Sequence, residues 1–355
     1  MKDDHSRILK FAWDKYEDKD IESLNRLSSE YKAFLSKCKT ERECVKELIL
    51  DAEKKGFKSL KSAIERGEKL KPGDKLYANN MDKNLILYTI GKEPLEKGLT
   101  ILGAHIDSPR MDLKQNPLYE DILYTTHLSY FKTHYYGGIK KYQWVTIPLA
   151  IHGVVILKDG KEVNIVIGED DEDPVFCVTD LLIHLSLDQL DKKGSKVIEG
   201  EDLNILFGSI PIKNKEEKYR VKLNVLRLLY DKYGIEEEDL ASSELEVVPS
   251  GKARDCGFDR SMILAYGHDD RVCAYTSYAA YLNIENPEKT CVCLLVDKEE
   301  IGSAGATGMS SMYFENSLAE VMNLCGDYSE LKLRRTLQNS KMLSSDVSAA
   351  FDSNF

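Results

Sequence analysis

Four stretches of this sequence set a histidine or carboxylates directly behind an apolar run. LTILGAHI (99–106) carries His105, with Asp107 two residues further on. MILAYG (262–267) runs into His268, Asp269 and Asp270. CVCLLV (291–296) runs into Asp297 and the adjacent pair Glu299 and Glu300. KMLSS (341–345) runs into Asp346. Together these ends offer imidazole and carboxylate without thiolate, a donor set that suits zinc, cobalt or manganese. The His-x-Asp spacing adds a partner for the ring, because a ligating histidine usually donates its other N–H to a carboxylate, and Asp107 is placed for that. The set is larger than one zinc requires. Two ions about 3.5–4 Å apart, sharing a carboxylate, would use all of it. Glu300 can then ligate while Glu299 faces the attacking water as general base, and the glycines that follow leave room for substrate. Each feature has a plainer reading taken alone. Glu299-Glu300 could start a helix, and Asp269-Asp270 could be an N-cap with an acidic first turn. Four such coincidences together favour a site.

The elements that must position these groups read as α/β, since sites in open α/β sheets form at the carboxyl ends of strands. SLNRLSSEYKAFLSKC and ECVKELILDAEKKGF carry apolar residues at three- and four-residue spacing and read as helices. Residues 84–92 and 99–106 read as strands, the second as a run buried on both faces. From about residue 113 to 250 the character changes to short apolar segments with polar connections, plus one helical stretch ending at Gly234. After residue 260 the α/β rhythm resumes: a strand at 262–267, a helix from Asp270 to Leu282, a strand at 291–296, a helix near 311–324 and a strand at 341–345. The order implies an α/β domain over 1–112 and 250–355, interrupted by a mainly β domain over 113–249. GEDDEDP (168–174) lacks calcium-loop spacing and reads as a solvated acidic turn.

Composition narrows the function classes. The formal charge of −11 argues against a nucleic-acid partner, whose phosphates need basic surface. No apolar run approaches a membrane span, and MKDDHSRILKFAWDKYEDKD has no apolar signal core, so a cytoplasmic location is expected. The 8 cysteines form no CxxC pair and read as reduced, buried thiols. Among the other histidines, His184 lies on an apolar stripe and reads as packed, while His5, His127 and His134 read as surface residues. His152 in TIPLAIHG reads, from the residues alone, as a structural histidine bonded within its own β domain.

GAHIDSPRMDL, the HDD of YGHDDRV, DKEEIGSAGATG and SSDVSAAFDSNF, with THYYGGIKKYQW and TIPLAIHG, closely resemble the family of aspartyl aminopeptidase and vacuolar-type aminopeptidase I. The resemblance runs from about residue 80 to 355. It implies a metallopeptidase with two co-catalytic ions, most often zinc, and an α/β peptidase domain interrupted by a β dimerisation domain. It implies that Asp269 bridges the ions and has a cis peptide after it. His105 and Asp346 would complete one ion's ligands, and Glu300 would serve the other. Glu299 would be the general base, and Asp107 would orient His105. The family draws one more ligand, a histidine, from a C-terminal segment. No histidine follows His268 and the chain stops short of the family's usual length, so the chain is expected to be a fragment with its second metal one ligand short. The resemblance also implies homodimers assembling to a dodecamer, with His152 entering the other copy's active site to donate to the developing oxyanion.

The expected function is removal of N-terminal residues from peptides with a free N-terminus, by metal-activated water. Acidic and neutral first residues are both open. Two rivals remain: a metallo-amidohydrolase acting on acylated amino acids, and an inactive assembly subunit.

Overall fold

The computed structural model describes residues 11–355. His5, expected at the surface, lies outside the described residues. One six-stranded sheet takes its strands from both ends of the sequence, in the order 58–59, 75–80, 84–89, 291–296, 100–105, 341–344. Cys291–Val296 pairs in parallel with Thr100–His105, which pairs in parallel with Lys341–Ser344. Three carboxyl ends therefore open on one edge of the sheet, at His105, Asp297 and Ser345.

The run CVCLLV is hydrophobic throughout because both of its faces are covered. Successive side chains of a strand point to opposite sides. Cys293 and Leu295 pack with Tyr31, Phe34 and Leu35 of helix Asp18–Lys37, and with Tyr278 of helix His268–Tyr281. Val292 and Leu294 pack with Phe314, Leu318 and Met322 of helix Tyr313–Leu324. Helix Glu41–Lys54 lies on the first face. It starts on a capping box in which Thr40 Oγ1 accepts from the Glu43 N–H and the Glu43 carboxylate accepts from the Thr40 N–H, at 3.2 and 3.0 Å.

The second sheet has seven strands, all antiparallel, in the order 162–167, 149–156, 243–249, 110–123, 126–136, 205–208, 177–178. Helix Arg220–Tyr233 packs on it through Val225 and Leu229 and ends at Gly234, whose φ of 74° suits glycine.

Two expectations need correction. MILAYG is not a strand of the main sheet. Only Met262–Leu264 is extended, and it pairs with Arg254–Cys256 in a separate two-stranded ribbon. Its side chains are exposed or half-exposed, and a short apolar run alone does not tell a sheet strand from a surface ribbon. Asp269 accordingly arrives on the start of a helix. Helix Glu330–Asn339 was not anticipated, since it buries little beyond Leu333 and Thr336 and is mostly charged and polar. Among the described residues, no helix is long and apolar enough to cross a membrane.

Leu294 is 1% exposed at the centre of this arrangement. Leu294→Ala should destabilise the fold by about 2–5 kcal/mol, the range for emptying a buried leucine site. A urea midpoint matching that of the unsubstituted protein would contradict this packing.

Candidate metal centre

His105 is the last residue of its strand and 3% exposed. Its Nδ1 faces Asp107, 3.0 Å from the backbone oxygen and 3.2 Å from Oδ1. Donation from Nδ1 leaves Nε2 with its lone pair free for a cation. That Nε2 points at Asp269 Oδ1, 3.3 Å away, and Glu299 Oε2, 3.6 Å away. Burial lowers the ring's affinity for a proton, but Asp107 and the surrounding carboxylates outweigh it and push the pKa up to about 9. A cation at Nε2 would meet the same attraction.

Asp107 is fully buried and has all its partners on the protein. Oδ1 accepts from the Glu299 N–H and faces the His105 ring. Oδ2 accepts from the Glu300 N–H and from the Tyr136 hydroxyl, at 3.2 and 2.6 Å. Burial alone would raise this carboxyl, but the bonds from His105 and Tyr136 hold it below the usual carboxylate range. The turn bearing Glu299 and Glu300 is thus tied to the end of the neighbouring strand through one side chain.

The two aspartates arrive differently. Gly267, at φ 87°, lets the chain turn into the helix, and a Cβ there would lie 2.5 Å from the Arg271 guanidinium. Arg271 is 1% exposed and donates to the backbone oxygens of Ile106, Cys38 and Lys39. It pins the helix start to the end of the strand that carries His105. Ser108 Oγ donates to the Asp269 backbone oxygen at 2.7 Å, and the Asp269–Asp270 peptide is cis.

The donor atoms of His105, Asp269 and Glu300 lie within 4.8 Å of one another, and so do those of His105, Asp270 and Asp346. Asp270 was not anticipated as a candidate ligand. It is fully buried, and neither of its carboxylate oxygens has a hydrogen-bond partner. Burial and the nearby Asp346 push it up to about 6. Such an orphaned pair of oxygens is costly unless a cation or proton satisfies it. Glu300 is likewise pushed up to about 7, first by burial and then by Asp269. Imidazole, carboxylates and an unsatisfied buried carboxylate fit a borderline divalent ion. Gly137 was also missed as a determinant. Its φ is 68°, and a Cβ there would press on Glu300 Cβ at 3.1 Å. The doubled glycine of YYGG was its only sequence signal. A third acidic group, Glu41 with Glu244 and Glu246, is paired with Lys83 and Arg110 instead.

A family model described as aminopeptidase I zinc metalloprotease (M18) matches residues 34–355. The chain belongs to the M18 aminopeptidase family. A probable M18 family aminopeptidase 1 of Clostridium acetobutylicum is 62% identical over 355 residues, covering all of this chain and 76% of that protein. The crystal structure of the Thermotoga maritima M18 aminopeptidase is 43% identical and superposes with a TM-score of 0.90, over 99% of this chain and 74% of that one. At 21% identity the S. cerevisiae mApe1 dodecamer shares the fold, with a TM-score of 0.73 over 94% of this chain and 74% of that one. This M18 chain is therefore a metallo-aminopeptidase, a hydrolase.

His152 stands apart from the centre. The strand Leu149–Ile156 does alternate as expected, with Ile151 in the core of the seven-stranded sheet. The opposite face, however, is covered by the start of helix Glu41–Lys54. His152 is 1% exposed, with Nδ1 2.8 Å from Glu43 and Nε2 3.2 Å from Glu169. A ring with both nitrogens engaged and no free surface has nothing to present to another copy, so that expectation is withdrawn. The expectation of a bond kept within the β domain needs widening too, because Glu43 lies on helix Glu41–Lys54, which packs on the six-stranded sheet. Glu169, read as part of a merely solvated turn, is the other partner.

Burial disfavours a charged His152, but the two glutamates raise its pKa nonetheless. A raised folded-state pKa means that protonation stabilises the fold. The stability gap between this protein and a His152→Gln variant should be fullest below about pH 6.5, the ordinary histidine value, and narrow as pH rises through the raised value. Urea unfolding at several pH values would measure it, and a gap that widens with pH would contradict this role.

Proposed function

We propose that this M18 aminopeptidase releases the first residue of peptides with a free N-terminus, using two divalent ions, zinc by donor chemistry, with cobalt or manganese as substitutes. The observation that carries the two-ion reading is the pair of overlapping donor sets around His105. An imidazole with one free nitrogen serves one ion only, so two ions need a shared carboxylate. Asp269, beside His105 Nε2 and grouped with Glu300, is the carboxylate suited to bridging. Asp346 and the orphaned Asp270 mark the second position. Ions held there supply Lewis acidity, polarising the scissile carbonyl and acidifying water.

The remaining work falls to side chains. Glu299 stands 3.6 Å from His105 Nε2 and is half-exposed, open to both water and substrate. It takes the proton of the attacking water and returns it to the leaving amine. Asp107 holds His105 in the ligating tautomer. The cleft beside Asp269, about 450 Å³ and lined by Ile139, Trp144 and Tyr266 with Lys140 at its rim, is where the first residue would lie.

We also infer self-association through the inserted domain, over 113–249. Leu181, Leu182, Ile183, Leu185, Leu187 and Leu190 are all exposed there, a contiguous apolar strip of the kind that marks an interface. The dodecameric S. cerevisiae relative supports assemblies of paired copies. His184, expected to be packed, is instead exposed in the middle of this strip. A cytoplasmic location accords with the reduced cysteines.

Glu299→Ala should lower turnover of an aminoacyl anilide by at least ~10², the usual contribution of a general base, with metal content kept. Glu300→Ala should lose metal. Equal metal loss in both variants, or hydrolysis of N-acylated substrates only, would overturn the assignment.

A further inference from the structure

The turn that carries Glu299 and Glu300 is held partly from outside its own sheet. Asp107, which accepts both of that turn's N–H groups, also accepts the hydroxyl of Tyr136 at 2.6 Å. Tyr136 is the last residue of strand Thr126–Tyr136 in the seven-stranded sheet, opposite Arg110 in the register. It is buried, and the Arg110 guanidinium stacks on its ring with the guanidinium carbon 3.9 Å from the centroid. Arg110 in turn cannot swing away. Its Nε lies 2.8 Å from Asp112 and 3.0 Å from Glu246, and Nη2 lies 3.3 Å from Glu41. A clamped cation fixes the plane of the phenol, and the phenol fixes Asp107.

We propose that Tyr136 is a positioning residue for the peptidase reaction. Its hydroxyl holds Asp107 in the one orientation that serves the His105 ring and the Glu299–Glu300 turn together. The inserted domain thereby sets the geometry of the metal ligands. This rests on the reading of His105 and Glu300 as metal ligands. The physical need is clear from the burial of Asp107, which has no solvent to replace a lost donor. Without the hydroxyl, Oδ2 is left with the Glu300 N–H alone, and the carboxylate is free to rotate away from His105. A ring that only filled space would do the same work as phenylalanine.

Tyr136→Phe keeps the ring on Arg110 and removes the hydroxyl. Zinc affinity of the folded protein, measured by competition with a chromophoric chelator, should weaken about 10–100-fold, the usual effect of losing an outer partner of a metal site. At saturating zinc, kcat per folded, zinc-loaded chain should fall with KM unchanged, whereas a loss of general stability would lower only the folded fraction. Asp107→Asn should show the same pattern, and the double variant should be little worse than Asp107→Asn alone, because both act through one contact. If Tyr136→Phe binds zinc and turns over normally while Asp107→Asn is impaired, the role assigned to Tyr136 is wrong and the metal reading stands. A lower melting temperature with unchanged zinc affinity would also overturn it. If neither variant alters zinc affinity, the metal-site reading fails as well.

Discussion

A single carboxylate with no exposed surface, Asp107, gathers four hydrogen-bond donors from three segments of the chain. A buried anion is tolerated only where its lone pairs are met, and here they are met by the groups that must be held still. The ring of His105 is turned to offer Nε2, and the two glutamates are locked relative to it. Most of the surrounding architecture serves to bring these donors together. The parallel pairing of Thr100–His105 with Cys291–Val296 sets the strand ends side by side, and Arg271 fastens the aspartate-bearing helix start to the same point.

Charge also joins the two sheets. Glu41 at the start of its helix and Glu246 in the seven-stranded sheet are fully or almost fully buried, and both contact Arg110, while Lys83 reaches Glu41 at 2.8 Å. Arg110 and Lys83 hold Glu41 ionised against the cost of burial, whereas burial leaves Glu246 well above the ordinary carboxylate range. Such clusters are weak sources of net stability but strong constraints on geometry, since one misplaced member leaves an uncompensated charge. His152, between Glu43 and Glu169, fastens the same two units at a second place.

Much of the site was legible because its groups follow apolar runs, and strand ends can be read from hydrophobicity. His105, Glu299, Glu300 and Asp346 were all read as candidates that way. Asp269 was found for a partly wrong reason, since MILAYG is not a core strand and the aspartate is delivered by a helix start. Asp270 was passed over because adjacent aspartates look equivalent in sequence. Only its buried, unpartnered oxygens distinguish its surroundings. His152 was misassigned because alternation tells which residues face away from a core but not what covers that other face. His184 was misread for the converse reason: an apolar stripe was taken as packed when it lies open. Tyr136 and Gly137 act across the gap between two sheets, and a single sequence carries no record of which strand ends meet there.

The chain passes from the six-stranded sheet to the seven-stranded one between His105 and Arg110, and Tyr136 meets Asp107 at the same spot. The metal centre is thus also the pivot on which this arm is mounted. A torque applied far out on the arm, by a neighbouring copy or by a bulky ligand, has its fulcrum at Asp107.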